Sequence, residues 1–227
     1  MVLGWHSFLQ QQGLPFISPA SMGYAIEIFS FIKEESDKAS TELANIYGEP
    51  LWCKGTGKRN SHQCAIAPTV SNSLIVGTSA SIEPIPANAY TLKTAKGTFL
   101  MRNPILQKLL VEKGKDTQDV WDSIVQHEGT VQHLDFLSEK EKELFLTFKE
   151  INQLDLIKQA AVICEDVDQA VSINVCFAPD DTPKWISKVH TTAWELGIKT
   201  LYYLRTESIL KGDIPNRLVE GCSMCEG

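Results

Sequence analysis

Apolar side chains recur at intervals of three and four residues along most of the chain, which is the spacing of amphipathic helices. The longest such stretch opens at Ser18-Pro19, a cap residue followed by a residue suited to the first helical turn, and closes before Gly48. Shorter helices are predicted around Trp5–Leu9, after Asn103-Pro104, through Trp121 and Ile124, from Ser138, over residues 154–164 and over residues 183–196.

Short apolar or alternating runs between these helices predict strands. They are "HQCAIAP" at 62–68, "AVSINVCF" at 170–177 and the buried-looking "KTLYYLR" at 199–205, with "AYTLKTAKGTFLMR" forming a hairpin that turns near Lys96-Gly97. Helices that alternate with single strands favour an α/β domain with parallel strands. Few strands precede the first long helices, so the predicted sheet is incomplete. Residues 1–205 form the predicted domain and residues 206–227 a flexible tail.

Composition narrows the class of protein. The net charge of −7 argues against a surface for nucleic-acid polymers, which requires clustered basic residues. No apolar run approaches the roughly 18–20 residues of a membrane span, and the start has no signal-peptide pattern. The six cysteines are therefore interpreted as thiols of a cytoplasmic protein.

The first candidate site is the segment "AIAPTVSNSLIVG", in which a predicted strand leads into an apolar, helix-like run. Backbone N–H groups at a helix start, assisted by hydroxyl groups, can bind a phosphate without basic residues. Thr69, Ser71 and Ser73 supply hydroxyls, and Asn72 supplies an amide. The alternative is an ordinary capped turn, because these residue types also favour turns for local reasons.

The second candidate is the adjacent pair Tyr202 and Tyr203. Neighbouring residues of a regular strand face opposite sides, so these rings can stack only at a strand end or where the strand is distorted. Two stacked, buried phenols would form a chain that loses an electron and a proton together, since a phenol of pKa near 10 must shed its proton when oxidised. The alternative is a pair of core tyrosines with satisfied hydroxyl groups.

The third candidate is the C-x-x-C pair of Cys222 and Cys225 at the chain end. The other cysteines and histidines lack the spacing of a zinc site, and a thioredoxin-like motif follows a strand and opens a helix. Two unrelated cysteines are one alternative. The other is a redox pair that travels on the tail, exchanges with a buried disulfide and returns to solvent.

Several of these stretches together resemble the C-terminal part of the large (catalytic, alpha) subunit of class I ribonucleotide reductase. "APTVSNSLIVGTSASIEP" resembles that family's substrate-phosphate loop, and "TVQHLDFLSEKEK" and "QAVSINVCF" resemble two further motifs. "KTLYYLRTES" resembles the strand with the paired radical-relay tyrosines, and the terminal cysteines resemble its shuttle.

The resemblance implies an α/β fold, the C-terminal portion of a ten-stranded barrel followed by the flexible tail. It implies that Tyr203 and Tyr202 relay a radical between the small subunit and an active-site cysteine. Cys222 and Cys225 would reduce the disulfide left by each turnover. The residues implied to contact the substrate diphosphate are Pro68, Thr69, Val70, Ser71 and Asn72.

The same resemblance implies partners and cofactors. The chain would bind no cofactor itself and would rely on the metal-radical cofactor of the small subunit and on thioredoxin or glutaredoxin as reductant. Its other partners would be the N-terminal part of the large subunit and a ribonucleoside diphosphate, with the helix 183–196 lining the groove for the small-subunit tail.

The family's radical cysteine motif, Asn-x-Cys-x-Glu, does not occur in this sequence. The expectation is therefore a fragment of the subunit, split naturally or truncated, that works only in complex. Cys53, Cys64, Cys164 and Cys176 are expected to be small core residues. Two rival hypotheses are a stand-alone thiol redox carrier, and an inactive remnant that only binds a partner.

Overall fold

The computed structural model describes residues 2–95 and 97–206. The α-helices are α1 (Trp5–Gln11), α2 (Pro19–Tyr47), α3 (Val70–Val76), α4 (Pro104–Glu112), α5 (Gln118–Gln126), α6 (Glu139–Leu144), α7 (Gln153–Cys164) and α8 (Pro183–Glu195). The strands are β1 (Ala89–Thr94), β2 (Gly97–Arg102), β3 (Val175–Phe177) and β4 (Leu204–Thr206), and a 3-10 turn spans Leu51–Cys53. Thr206, the first residue of the predicted tail, belongs instead to β4. The rest of the tail, with Cys222 and Cys225, lies outside the described residues, as does Lys96 of the hairpin turn.

The starts of α2 and α6 lie where their cap residues predicted them. The Ser18 hydroxyl accepts a hydrogen bond from the Ser21 N–H (3.0 Å), and the Ser21 hydroxyl accepts one from the Ser18 N–H (2.8 Å). Ser138 and Glu141 form the same reciprocal box at α6. These bonds satisfy N–H groups that have no acceptor inside the helix, so local sequence fixes each start.

Parallel pairing is confirmed, although the strands are shorter than predicted. β3 pairs with β4 in parallel, while β1 and β2 form the predicted antiparallel hairpin. The predicted strand 62–68 contributes a single parallel bridge, from Ile66 to Val171. Residues 171–177 therefore form the middle of a narrow parallel arrangement with neighbours on both sides.

Along the middle segment, residues 171–177, every second side chain points to one face, and that face packs against the helices. Val171, Ile173, Val175 and Phe177 are all buried in a core shared with α1, α2, α7 and α8. The residues between them, including Asn174, point to the opposite face of the segment. A second core, around Trp121, packs α4 and α5 against the hairpin.

Buried amide side chains join the two cores. The Asn103 side-chain amide donates to Gln10 on α1 and to Asn88, both at 3.0 Å. The Asn88 amide in turn donates to the carbonyls of Gly129 (3.1 Å) and Phe145 (2.8 Å). Because each of these buried polar groups has a partner, the network fixes the relative position of the cores without an unsatisfied group.

His6 lies fully buried beside this network, and its Nδ1 accepts a hydrogen bond from the Ile85 N–H (3.0 Å). Burial lowers the pKa of His6 to about 3, so the folded chain keeps the ring neutral. The unfolded chain takes up this proton below its ordinary pKa near 6.5. Between about pH 3 and pH 6.5, His6 is protonated in the unfolded chain but neutral in the folded one. The free energy of unfolding therefore falls as the pH drops below about 6.5.

We expect His6→Asn to flatten this pH dependence, because asparagine can accept the Ile85 N–H bond but cannot be protonated. The His6 contribution amounts to about 2 kcal/mol between pH 7.5 and pH 5, from the pKa difference. Denaturant unfolding of both proteins at the two pH values measures it. Equal losses of stability in the two proteins contradict the assignment.

Candidate functional site

The segment that follows the Ile66 bridge turns sharply before α3. Thr69 has φ 48° and ψ 30°, a left-handed conformation that is uncommon for a β-branched residue. Its hydroxyl accepts a hydrogen bond from the Ser81 N–H (2.8 Å), and Ser81 is itself buried at φ 51°. This bond ties the turn to the segment that returns after α3. Strain of this kind persists where the surrounding structure over-determines it, as at ligand sites.

The residues of the turn differ in what they present to solvent. The side chains of Val70, Ser71 and Asn72 are exposed at the start of α3, where first-turn N–H groups have no acceptor inside the helix. Pro68 and Thr69 are half-buried. Ser73, also predicted as a hydroxyl donor, is only 5% exposed, and its hydroxyl donates to the Val70 carbonyl (2.7 Å). Ser73 is therefore turned into the helix, away from the exposed donors.

A carboxylate just beyond this turn reaches the middle segment of the sheet. Glu83 Oε1 accepts from the Asn174 N–H (2.6 Å), and Glu83 Oε2 accepts from the Asn174 side-chain amide (3.0 Å). Asn174 Oδ1 accepts from the Tyr203 N–H (3.1 Å). Hydrogen bonds thus connect the segment after α3 to the tyrosine pair, although the two regions are far apart along the chain.

Glu83 and Asn174 were not singled out in the sequence as site residues. Burial raises the pKa of Glu83, while the hydrogen bonds from Asn174 and the charge of Arg205 oppose that shift. Two signals were available: Asn174 and Glu83 lie in stretches that resemble family motifs, and Glu83 is a lone carboxylate among the apolar residues and prolines of "IEPIP". Its partner lies 91 residues away along the chain, so no local pattern could identify the pair.

Tyr202 and Tyr203 are in contact, as predicted, with ring centroids 4.1 Å apart and planes tilted by 50°. The Tyr203 hydroxyl donates to the Tyr202 hydroxyl at 3.3 Å. Two parts of the prediction are wrong. Both residues precede β4, and they are 49% and 44% exposed instead of buried. Among the described residues the sheet ends at β4, which leaves about half of each tyrosine side chain exposed.

The described cysteines behave as the sequence predicted. Cys53, Cys64 and Cys164 are buried free thiols, and Cys176 is half-buried. Burial raises the pKa of Cys164 to about 11 and raises the pKa values of Cys64 and Cys176. Thiols held protonated in this way are poor nucleophiles, as expected of small core residues.

A separate open cavity of about 500 Å³ lies at the carboxyl end of β3, beside Cys176 and Trp185. It does not include the turn at 68–72 or the tyrosine pair. Its charged groups have partners in the cavity wall: Lys149 pairs with Glu128 (3.4 Å), Glu150 accepts from the Thr147 hydroxyl (2.7 Å), and Asp181 accepts from the Ala178 N–H (2.8 Å). Nothing in its lining selects a class of ligand.

Residues 2–95 and 97–206 lack both a metal site and a membrane-spanning helix. In these ranges no cluster of three or more His, Cys, Asp or Glu side chains is placed to hold a metal ion. In the same part of the chain, no helix has both the length and the apolar character needed to cross a membrane.

Known proteins resemble the chain closely. Residues 52–204 match the family model for the ribonucleotide reductase barrel domain. The ribonucleoside-diphosphate reductase large subunits of Invertebrate iridescent viruses 3 and 6 are 39% and 42% identical to it, over 99% and 93% of this chain. The solved alpha subunit of a class Id ribonucleotide reductase from Actinobacillus ureae superposes with a TM-score of 0.84, at 43% identity over 91% of this chain.

The match covers only part of each relative. The chain spans 38% and 23% of the two viral subunits and 38% of the Actinobacillus subunit. The predicted α/β class and the assignment to part of the barrel are confirmed, and the matched residues include the turn at 68–72, Glu83, Asn174 and both tyrosines. The chain therefore belongs to the ribonucleotide reductase family, as part of the barrel domain of its large subunit.

Proposed function

We propose that this chain forms part of a ribonucleoside-diphosphate reductase large subunit and takes part in reducing ribonucleoside diphosphates to deoxyribonucleoside diphosphates. The observation that carries the proposal is the family match over residues 52–204, within which a strained, donor-rich turn and a contacting pair of tyrosines occur. Each feature suits one step of that reaction.

The turn at residues 68–72 binds the substrate diphosphate in this proposal. Ser71 and Asn72 present exposed donors, and the first-turn N–H groups of α3 add to them. The Thr69 hydroxyl accepts the Ser81 N–H, which leaves its own hydrogen available for a phosphate oxygen. Hydrogen bonds to a charged group are stronger than neutral ones, so these donors suffice without a basic residue.

The tyrosine pair relays the radical between the small subunit and the active-site cysteine of the complementary part. Oxidation of one phenol removes an electron and releases its proton, and reduction returns both. The hydroxyl oxygens of Tyr202 and Tyr203 are 3.3 Å apart, so a proton can pass between them as the electron moves. Exposure of both rings leaves them accessible to the polypeptides that this role requires.

The remaining components are part of the same proposal. Cys222 and Cys225 return electrons to the active-site disulfide by thiol–disulfide exchange, and thioredoxin or glutaredoxin re-reduces them. The small subunit supplies the metal-radical cofactor. The assembly works in the cytoplasm and includes the rest of the large subunit.

We expect Ser71→Ala to weaken binding of the nucleoside diphosphate in the assembled enzyme. The loss of one hydroxyl bond to a charged phosphate costs about 1.5–3 kcal/mol, which corresponds to a dissociation constant roughly tenfold higher or more. Equilibrium binding of a ribonucleoside diphosphate measures it.

Ser73→Ala is the matched control for this prediction. It removes the same hydroxyl two positions along the same helix, but that hydroxyl donates to the Val70 carbonyl. We expect near-normal affinity in this variant. Equal affinities of the wild-type and Ser71→Ala enzymes would show that the turn has only a structural role.

A further inference from the structure

The parallel ladder beside β3 is irregular at the two tyrosines. The Tyr202 N–H donates to the Ile173 carbonyl (2.7 Å), and the Val175 N–H donates to the Tyr203 carbonyl (2.9 Å). Tyr202 and Tyr203 therefore both lie opposite Asn174. In a regular parallel ladder a single residue would make both bonds, so this arrangement of two residues facing one is that of a β-bulge.

The bulge explains how neighbouring side chains can touch. Consecutive residues of a regular strand point to opposite faces, which would separate the two phenols by the thickness of the sheet. An extra residue disturbs that alternation and re-aims a side chain. The two rings then meet at 4.1 Å, and their hydroxyl groups are within hydrogen-bonding distance.

Asn174 stabilises the displaced backbone. The bulge shifts the Tyr203 N–H away from the Ile173 carbonyl, which Tyr202 occupies instead, and Asn174 Oδ1 accepts it at 3.1 Å. Asn174 is 4% exposed, so water cannot readily replace this bond. An amide side chain reaching across from the opposing residue thus supplies the acceptor that the regular ladder would have provided.

Glu83 fixes which end of the Asn174 amide faces the tyrosines. Its two oxygens accept from the Asn174 backbone N–H and side-chain Nδ2 (2.6 and 3.0 Å). Both oxygens of Glu83 accept these bonds and the Tyr203 N–H can only donate, so Nδ2 faces Glu83 and Oδ1 faces Tyr203. A glutamine at position 83 could present its own NH₂ to Asn174. That would favour the flipped amide, in which two donors would face each other at Tyr203.

We propose that Asn174 and Glu83 are positioning residues that maintain the bulge and thereby hold Tyr202 and Tyr203 in contact. Asn174 acts directly on the Tyr203 backbone, and Glu83 acts through Asn174. The structural part of the inference concerns this chain alone. Its consequence for turnover rests on the radical relay proposed above.

The test replaces the two residues separately and together, as Asn174→Ala, Glu83→Gln and the double variant. Hydrogen exchange resolved at the Tyr203 amide should be about fivefold faster in each single variant, the effect of one lost hydrogen bond. The double variant should exchange no faster than Asn174→Ala, because the hydrogen bonds of Glu83 reach Tyr203 only through Asn174. Glu83→Gln keeps the side-chain size, so it tests the idea even if Asn174→Ala fails to fold.

Kinetics of the assembled enzyme give the second measurement. We expect kcat to fall on the order of a hundredfold, the cost of misplacing a reacting group by about an ångström. KM for the nucleoside diphosphate should stay within about twofold, because the turn at 68–72 is unaltered. A mere loss of stability would not produce this separation of kcat from KM.

Gln153→Ala is the matched control for the same strand. Gln153 Oε1 accepts from the Cys176 N–H (2.8 Å), and its amide donates to two further carbonyls, so this variant loses several buried bonds. It should destabilise the chain without faster exchange at Tyr203 and with near-normal kcat. An equal fall in kcat in this control overturns the specific role of Asn174.

Two further results decide between the inference and the proposed function. Unchanged exchange at Tyr203 in both single variants overturns the inference, whether or not the enzyme turns over. Faster exchange with unchanged kcat supports the bulge but overturns the claim that contact between the tyrosines serves the reaction.

Discussion

Tyr203→Phe and Tyr202→Phe should each leave an assembled reductase with turnover near background. Phenylalanine keeps the ring, and with it the 4.1 Å contact between the side chains. It lacks the hydroxyl proton that a tyrosine releases on oxidation, so the ring can no longer take part in a coupled transfer of an electron and a proton. The measurement is formation of deoxyribonucleoside diphosphate by enzyme that contains each variant.

Tyr90→Phe is the matched control, because Tyr90 lies on β1, away from the pair, and is half-buried. It should retain most of the activity. Gel filtration should show equal assembly for all three variants, since none changes the size of the ring. Substantial turnover by either Tyr203→Phe or Tyr202→Phe contradicts the relay.

The chain by itself should produce no deoxyribonucleotide. In the described residues the parallel arrangement is narrow, since β4 pairs only with β3, and the side chains of Tyr202, Tyr203 and Leu204 are about half exposed. Large apolar side chains are also exposed at the end of α2 and just after it, namely Ile46, Tyr47, Leu51 and Trp52, the last 89% exposed. Surfaces of this kind are normally covered by a partner.

Reconstitution tests this dependence. We expect product when the chain is mixed with a polypeptide that carries the rest of the large subunit and with a radical-generating small subunit. Omission of this chain should abolish product, because the turn at 68–72 and the tyrosine pair are then absent. The Tyr203→Phe chain serves as the control for assembly without turnover. Product from the purified chain alone, with no other polypeptide, rules out the proposed division of the enzyme.

Sequence alone was sufficient for the features that depend on neighbouring residues. Ser18 and Ser138 opened their helices because a cap residue satisfies N–H groups three positions away. The hairpin and the parallel class followed from alternation and from the order of helices and strands. The resemblance in "APTVSNSLIVGTSASIEP" and "KTLYYLRTES" was enough to identify the family, since such motifs consist of contiguous residues.

Tertiary structure decided the features whose partners are distant along the chain. Ser73 was excluded from the exposed donors by a bond to the Val70 carbonyl, although its residue type suited the site. Exposure of the tyrosines depends on where the sheet ends, which alternation within one strand cannot indicate. Their contact depends on a bulge opposite Asn174, and the orientation of Asn174 depends on Glu83, 91 residues away. Periodicity and caps describe one segment at a time, whereas a bulge is a relation between two strands and a third residue that supports them.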